Sequence, residues 1–362
     1  MKKKHIVIIL PNLKNGGAER VHVYLANEWV KIGYKVTFIL MKNIGELNTV
    51  LNKKINIIET NTEKIRNFII PLSKSFNKIK PDVAISAMWP LTSISIISKL
   101  ISKHKFKIIL VEHCKISGQY LKDINSNYFF VKMIMKLTYY FSDNIICVSK
   151  CVKKDIQNFI KNKKKFIKVI YNPISFKNNY KFNKKKYIKY YGNAKYKLLS
   201  IGTLKKQKNL KNLILAFNYL NKKLDAKLVI VGDGPEKNSL LKLIQDLKLT
   251  NKVLLVGNYK DTYPWYSISD LFIHSADYDG MPLTLIESLS CGTPILSTDS
   301  QCGPSEILSN GKYGKLVKIN DYKSLASGIK FMLNKSHKKQ KLIDRSKFFS
   351  INKISNQYIE YF

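Results

Sequence analysis

The chain has 362 residues, of which 45% are hydrophobic, and this is enough apolar material for two domains of ordinary size. Its 63 Lys and Arg against 24 Asp and Glu give a net charge of +39, which attracts polyanions or an anionic membrane surface. Because the sequence shows no apolar run of membrane-spanning length, no signal-peptide pattern and no cysteine spacing typical of a disulfide framework, we expect a cytoplasmic protein.

Apolar runs of strand length alternate with helical patterns along the chain. Strands of a first series are predicted at residues 5–10, 35–40, 82–86, 107–113, 143–149 and 166–172, with a helix at 18–31. Strands of a second series are predicted at 197–202, 227–232, 252–257, 270–275 and 294–298, with helices near 210–220, 235–247 and 283–290. Continuous Val/Ile/Leu strands between helices are typical of parallel sheets covered on both faces. We therefore predict an α/β protein with two doubly wound, Rossmann-like domains.

The two series define the domain organisation. We predict an N-terminal domain at 1–175, a basic linker at 176–196, a C-terminal domain at 197–340, and C-terminal helices at 341–362 that can pack back on the N-terminal domain. Ligands of open parallel sheets bind beyond the carboxyl ends of the strands. We therefore expect the two domains to face a common cleft, with the functional residues in loops that follow strands.

Residues 151–197 interleave many lysines with aromatic side chains and contain Asp155 as their only acid. This pattern suits an anionic membrane surface or a nucleic-acid face. A genome composition that favours lysine produces the same excess of positive charge, so charge alone does not decide between these alternatives.

Two loops of the first series carry residues typical of a binding site. Gly16 and Gly17 precede a helix whose N-terminus can hold an anion, although a Gly-Gly pair is also common in a plain tight turn. His113 follows a buried strand, with Glu112 and Ser117 beside it, and is equally consistent with a ligand contact and with a structural histidine.

The second series adds basic and acidic residues after its strands. Gly202 is followed by Lys205, Lys206 and Lys208, which suit a diphosphate. Asp279 in a loop and Glu287 in the following helix indicate recognition of hydroxyl groups or acid/base chemistry. The same spacing also arises if Glu287 is simply a solvent-exposed helix residue and Asp279 complements the helix dipole.

Together these residues resemble the retaining GT-B glycosyltransferases of glycosyltransferase family four. The matching segments occur in family order over nearly the whole chain: Gly16-Gly17-Ala18-Glu19, Glu112-His113, Ser142-Asp143, Val148-Ser149-Lys150, Asn172-Pro173, Gly202 with Lys208, Gly232-Asp233-Gly234-Pro235-Glu236, and Asp279 to Glu287 with Gly292-Thr293-Pro294.

The resemblance implies a nucleotide-sugar donor as substrate and no cofactor. It assigns the ribose hydroxyls to Glu287, the transferred sugar to Asp279, the diphosphate to Lys208, and the reacting centre to His113, so His113, Asp279 and Lys208 are the expected catalytic residues. The remaining donor contacts it implies are Gly16, Gly17, Gly202, Thr203, Asn258, Tyr259, Gly280, Met281, Pro282, Leu283 and Thr284.

Two residues depart from the family pattern. Asp279 stands where the family commonly has Glu, which shortens the reach of the carboxylate to the sugar. Thr203 stands where the family often has Arg, a role that Lys205 or Lys206 can take over. The resemblance also implies metal-independent transfer, in which the leaving diphosphate assists attack from the same face of the sugar.

The expected activity is transfer of a hexose or N-acetylhexosamine, with UDP as the expected nucleotide, to a lipid-linked saccharide in bacterial glycan synthesis. The stretch from Thr298 to Leu308 is similar to enzymes of that kind. Such an acceptor places the protein peripherally on the inner face of the cytoplasmic membrane, with an anionic membrane surface and no nucleic acid as partner. A GT-B nucleotide-sugar epimerase is the alternative, and a basic nucleic-acid-binding protein is a weaker one.

Overall fold

The computed structural model describes residues 3–117, 127–160, 167–175, 181–221, 224–300 and 302–362. The chain divides into two compact units, the first formed by Met1–Ser175 with Phe349–Phe362 and the second by Phe176–Phe348. The last part of the predicted C-terminal helical segment thus groups with the first unit, and the predicted linker groups with the second.

The first unit is built on a parallel sheet. Its strands are β1 (His5–Leu10), β2 (Lys35–Leu40), β3 (Asn56–Glu59), β4 (Val83–Ala87), β5 (Lys107–Glu112), β6 (Asn144–Cys147) and β7 (Ile167–Val169). They pair in the order β3-β2-β1-β4-β5-β6-β7, and every pairing is parallel. The order reverses between β1 and β4, and such a reversal is where open α/β sheets bind ligands.

Helices follow most strands of this unit. They are α1 (Gly17–Lys31), α2 (Ile69–Ile79), α3 (Leu91–Leu100), α4 (Tyr128–Tyr139), α5 (Lys150–Ile160) and the C-terminal helix (Ile351–Ile359), with 3-10 turns at Glu46–Val50 and Ile65–Phe68. A third 3-10 turn, Lys347–Phe349, lies at the boundary of the two units along the chain. Trp29 of α1 is fully buried and packs edge-on against Tyr358 and Phe362. These aromatic contacts attach the end of the chain to α1.

The second unit repeats the same design. Its strands are β8 (Tyr196–Ile201), β9 (Ala226–Val231), β10 (Val253–Leu255), β11 (Leu271–His274), β12 (Ile295–Thr298) and β13 (Lys315–Val317). They form a parallel sheet in the order β10-β9-β8-β11-β12-β13, so the strand order reverses between β8 and β11.

The helices of the second unit enclose a continuous apolar core. They are α6 (Lys185–Ile188), α7 (Leu210–Asn221), α8 (Lys237–Asp246), α9 (Tyr263–Ile268), α10 (Leu283–Cys291), α11 (Gly303–Ile307), α12 (Tyr322–Asn334) and α13 (Lys339–Ser346), with a 3-10 turn at Lys206–Lys208. No helix in the described ranges combines the length and apolar character needed to cross a membrane.

The basic, aromatic segment at 151–197 differs from the interleaved surface that its sequence suggests. Phe159, Tyr187 and Tyr191 are buried, and Tyr187 packs edge-on against Trp265. The neighbouring lysines of α6 are exposed, so the two residue types separate into an inner and an outer side. Phe166, Phe176 and Tyr180, together with the lysines at 161–165, lie outside the described residues.

The predicted fold class, two Rossmann-like α/β domains, is confirmed. Two strands escaped the sequence analysis, β3 and β13. Both lie at the edge of their sheet and are only partly buried, so they lack the continuous apolar run that marks the central strands.

Candidate functional site

A lysine and an aspartate meet where the strand order of the second unit reverses. Lys208 ends the 3-10 turn that follows β8, and Asp279 lies in the loop after β11, the strand that pairs with β8. The Lys208 Nζ atom is 2.5 Å from the Asp279 Oδ2 atom. The two side chains are 23% and 16% exposed, so both remain accessible to a ligand at this edge of the sheet.

His274, the last residue of β11, completes what we call the switch-point cluster with Lys208 and Asp279. Its Nε2 atom lies 3.4 Å from Asp279 Oδ2. Burial raises the pKa of Asp279, but the charge of Lys208 and the hydrogen bond with His274 outweigh burial and hold that pKa well below its usual range. Asp279 is therefore a fixed negative charge, suited to accept hydrogen bonds from hydroxyl groups rather than to shuttle protons.

Further hydrogen bonds join the loops that carry the cluster. The Asn209 side-chain amide donates to the Asp277 carboxylate at 2.7 Å, and the Ser275 hydroxyl donates to the Lys208 carbonyl at 2.8 Å. The Asp277 backbone N–H donates to the Gln207 carbonyl at 2.9 Å. Because three bonds connect the loops after β8 and β11, the positions of Lys208 and Asp279 are fixed before any ligand binds.

Glu287 lies in the second turn of α10 and is 1% exposed. The Tyr266 hydroxyl donates to its Oε2 atom at 3.0 Å, and the Tyr266 carbonyl in turn accepts a hydrogen bond from the Thr293 hydroxyl at 2.7 Å. A buried carboxylate needs such partners. Since a carboxylate accepts several hydrogen bonds, Glu287 can keep Tyr266 as a partner while it binds a diol.

The segment between Asp279 and α10 presents backbone rather than side chains. Met281 and Leu283 are buried, and Thr284 is partly exposed. Gly303 at the start of α11 packs directly on this segment, since a Cβ atom there would lie 2.7 Å from the Gly280 carbonyl oxygen and 2.8 Å from Pro282. This arrangement suits the predicted backbone contacts of Gly280, Met281, Pro282 and Leu283.

The glycines after β8 and β9 allow two loops to touch backbone to backbone. A Cβ atom on Gly232, whose φ is +145°, would lie 2.0 Å from the carbonyl oxygen of Gly202. The Gly232 N–H donates to the Gly257 carbonyl at 2.8 Å. The Gly232–Pro235 motif therefore serves loop packing. Thr203, which follows Gly202, is exposed.

Asn258 and Tyr259, two of the predicted donor contacts, differ in their surroundings. Asn258 is exposed. Tyr259 packs edge-on against Trp265 at 5.1 Å between ring centres, and its hydroxyl is 3.0 Å from that of Tyr190. Tyr259 thus belongs to an aromatic cluster within the second unit.

In the first unit, Gly16 is the N-cap of α1 and Gly17 its first residue. Gly16 has extended backbone, and the Glu19 carboxylate of the first turn lies against it, since a Cβ atom on Gly16 would be 2.1 Å from Glu19 Oε2. A Cβ atom on Gly17 would meet no atom within 4 Å. Open space at this position fits a close approach of a ligand to the backbone.

His113 follows β5 and packs edge-on against His22 of α1, with 5.3 Å between ring centres. Among the described residues, neither the Nε2 atom of His113 nor that of His22 has a hydrogen-bond partner. Desolvation, followed by the neighbouring His22, lowers the pKa of His113 well below its usual value. His113 is therefore neutral at physiological pH, and its Nε2 atom is a buried polar atom that a ligand contact would satisfy.

The neighbours of His113 have structural partners. Glu112 is fully buried and accepts hydrogen bonds from the hydroxyls of Thr92 and Tyr139. Ser117 is bound to Asp155 of α5 through its N–H and its hydroxyl. Of the three residues predicted after this strand, His113 alone fits a substrate contact.

Three residues of the site in the second unit escaped the sequence analysis: His274, Asn209 and Tyr266. His274 ends a buried strand in the same way as His113, so the signal was present in the sequence. Asn209 and Tyr266 reach the site through contacts between distant segments, and no local pattern marks them.

The sequence matches two family profiles. Residues 15–177 match Glycosyltransferase Family 4, and residues 182–348 match Glycosyl transferases group 1. A Campylobacter jejuni enzyme, N-acetylgalactosamine-N,N'-diacetylbacillosaminyl-diphospho-undecaprenol 4-alpha-N-acetylgalactosaminyltransferase, is 34% identical over 71% of this chain and 70% of its own length. The chain belongs to glycosyltransferase family four. The predicted membership of glycosyltransferase family four is thereby confirmed, and the protein is a glycosyltransferase.

Other relatives and solved structures agree with this assignment. An uncharacterized glycosyltransferase of Methanocaldococcus jannaschii is 30% identical over 70% of this chain and 68% of its own. The Anabaena protein HepE, solved with UDP and glucose, superposes with a TM-score of 0.82 at 19% identity and covers 99% of this chain and 98% of its own. At that identity the superposition establishes the glycosyltransferase fold alone.

Proposed function

We propose that this glycosyltransferase moves a hexose or an N-acetylhexosamine from a UDP-sugar to a lipid-linked saccharide, with retention of the anomeric configuration. The observation that carries the proposal is the switch-point cluster, which joins a cation and an ionised carboxylate at the ligand-binding edge of the second sheet. A nucleotide sugar offers the matching groups, because its diphosphate is anionic and its sugar carries hydroxyls.

Each residue of the site has a role in this proposal. Lys208 stabilises the charge that develops on the departing diphosphate, while Asp279 and His274 hold the sugar hydroxyls. Glu287 binds the ribose, and the neutral His113 donates or accepts a hydrogen bond near the reacting carbon. Fixed charges at the site of charge development are the main source of rate enhancement in such reactions.

The transfer step exchanges one glycosidic bond for another. The bond from the anomeric carbon to the diphosphate breaks, the bond to the acceptor oxygen forms on the same face, and the acceptor proton leaves with the nucleoside diphosphate. Lys208 and the N-terminal N–H groups of α10 supply positive charge for the leaving group. We therefore propose transfer that requires no metal ion, which activity retained in EDTA would support.

The acceptor is inferred from the relatives. The name of the Campylobacter jejuni enzyme describes transfer to a diphospho-undecaprenol saccharide. A lipid-linked acceptor of this kind supports peripheral association with the inner face of an anionic membrane, toward which the charge of +39 is complementary. The epimerase alternative is not favoured, because the two relatives reported above are named as glycosyltransferases.

The donor is tested first by thermal shift. UDP and UDP-sugars should raise Tm in a concentration-dependent way, whereas GDP and GDP-sugars should not, since a ligand that binds the native state stabilises it. The acceptor is tested by incubating the protein with UDP-N-acetylhexosamines and polyprenyl diphosphate saccharides, with NMR of the new linkage. UDP release that is independent of acceptor, accompanied by an epimerised sugar, would contradict transfer.

A further inference from the structure

Helix α4 of the first unit exposes an apolar face to solvent. The exposed residues Phe129, Phe130, Met133 and Leu137 follow the spacing of one helix face, and Tyr140 and Phe141 continue the apolar surface directly after the helix ends. Tyr128, at the first position, is 45% exposed and also packs on Phe159. Phe129 is 75% exposed and Leu137 is 62% exposed. Contiguous exposed apolar surface of this kind marks an interaction site. We call these seven residues the α4 outer face.

The opposite side of α4 is firmly packed, so the outer face cannot turn inward. Val131 and Met135 are buried, and the Thr138 hydroxyl donates to Ser93 of α3 at 3.0 Å. Tyr139 is fully buried, and its hydroxyl donates to Glu112 and lies 2.7 Å from that of Thr92. An apolar helix face normally lies inside a protein or in lipid, and none of the described residues covers the outer face of α4.

The charge of this region has one sign. Residues 127–142 contain Lys132 and Lys136 and no acidic residue. The next acid, Asp143, is neutralised by Lys99 at the end of α3, with 2.7 Å between Lys99 Nζ and the carboxylate. Leu100 and Ile101, which follow Lys99, are also exposed and add apolar surface at this end.

We propose that the α4 outer face inserts into the interfacial region of an anionic lipid bilayer. Aromatic and aliphatic side chains flanked by lysines are the composition that binds at this depth, where the rings enter the acyl boundary and the lysines meet lipid phosphates. A second copy of this chain is a poorer partner. Self-pairing across a two-fold axis would bring together like charges from Lys132 and Lys136 on chains that each carry +39.

This inference extends the membrane association proposed above and adds a surface to the basic segment at 151–197, whose membrane contact stays a prediction. Much of that segment, including the lysines at 161–165, lies outside the described residues, and of its described aromatic residues Phe159, Tyr187 and Tyr191 are buried. The α4 outer face supplies both apolar area and positive charge. Its evidence does not depend on the donor or on the switch-point cluster.

The first experiment compares vesicle flotation of the full chain and two double variants. Vesicles contain phosphatidylcholine with phosphatidylglycerol, or phosphatidylcholine alone. The F129S/L137S variant should lower the partition onto anionic vesicles by about tenfold or more, because two large apolar anchors are lost. The matched control, Y219S/F331S, removes residues that are 59% and 50% exposed in the second unit and should bind like wild type. Equal partition of the two variants overturns the proposal.

The second experiment separates insertion from adsorption of a basic protein. Tryptophan is introduced by Leu137→Trp and, as a control, by Phe331→Trp. On anionic vesicles with brominated acyl chains, the emission of the Leu137→Trp variant should shift to the blue and be quenched relative to wild type, whereas that of the control should not. Quenching at neither position, or equally at both, overturns insertion through α4.

Sedimentation velocity without lipid tests the rival occupant. Wild type and F129S/L137S should both sediment as monomers; a wild-type dimer that the variant abolishes assigns the α4 outer face to a second copy and overturns the proposal. The UDP-dependent thermal shift of F129S/L137S serves as the folding control. Because lipid binding and donor binding are measured separately, failure of one inference is distinguishable from failure of the other.

Discussion

Lys208 and Asp279 are 71 residues apart in the sequence and form an ion pair in which 2.5 Å separates Nζ from Oδ2. The two strands before them, β8 and β11, are neighbours in the sheet although helices and two other strands intervene along the chain. The doubly wound topology therefore creates this pair. Lys208 keeps Asp279 ionised, and the ion pair holds both side chains at the edge where the donor is proposed to bind.

A double-mutant cycle tests whether this pair acts as one unit. Lys208→Met should lower kcat by about 100-fold, the scale for loss of one group that stabilises transition-state charge. Asp279→Asn should also lower kcat, because Lys208 loses its orienting partner and the sugar loses an acceptor. Combining the two changes should cost less than the sum of the single free-energy losses. Strictly additive losses, measured by steady-state kinetics, would show that the pair is not coupled.

Asp279→Glu tests the departure from the family pattern. The longer side chain restores the residue that the family commonly carries while preserving the charge that His274 and Lys208 face. We expect the ratio of kcat/KM between UDP-hexoses and UDP-N-acetylhexosamines to change by about tenfold, since one displaced hydrogen bond has that effect. An unchanged ratio with wild-type activity would remove Asp279 from sugar selection.

Glu287→Gln tests the ribose contact. Hydrogen bonds to a charged group contribute about 2 kcal/mol, so Kd for UDP should rise by about 30-fold in calorimetry. Tyr266→Phe is the matched control, because it removes the hydroxyl that bonds Glu287 but keeps the ring that packs on Phe272. It should weaken UDP binding less than Glu287→Gln. Wild-type affinity of Glu287→Gln for UDP would contradict the assignment of Glu287 to the ribose.

The sequence predicts the central strands well because each is a continuous apolar run, and their burial confirms it. All side chains from Ile6 to Leu10 are fully buried, whereas β3 and β13 at the sheet edges are only partly covered. Edge strands need fewer apolar residues, so periodicity does not mark them. Helix α10 was predicted almost to the residue, because Pro282 and Gly292 flank it.

The site was predictable where a residue follows a strand and less so elsewhere. Lys208, Asp279 and His113 follow strands, and the fold places them beyond the carboxyl ends of the parallel strands. Glu112, the last residue of β5, also lies at the carboxyl end of a strand, but its side chain faces the protein interior. Side chains alternate between the two faces of a strand, so a shift of one residue decides which face a side chain reaches. Tyr266 supports Glu287 from another helix, and only packing reveals that contact.

Two glycines should respond in opposite ways to alanine substitution. Gly232→Ala should destabilise the second unit by about 3 kcal/mol, because the new methyl group meets the Gly202 carbonyl at a positive φ. Gly17→Ala should leave Tm unchanged or slightly higher, since its methyl group meets no atom and alanine favours helix. The proposed backbone contact with the donor predicts that Gly17→Ala nevertheless raises KM for the UDP-sugar. A wild-type KM would remove Gly17 from donor binding.

Glu112 makes the stability of the first unit depend on pH. Burial raises its pKa from 4.5 to about 7, against the hydrogen bonds from Tyr139 and Thr92 that lower it. Because the pKa of Glu112 is higher in the folded state than in the unfolded state, its contribution to the free energy of unfolding is fully present below pH 4.5. This contribution is lost as pH rises through 7, and the total loss is about 3 kcal/mol. Glu112→Gln keeps an acceptor without the charge, so its Tm should exceed that of wild type at pH 8 and approach it at pH 5. Glu63→Gln, at a side chain that is 78% exposed, is the control. Parallel Tm curves for wild type and Glu112→Gln would show that Glu112 does not titrate in this range.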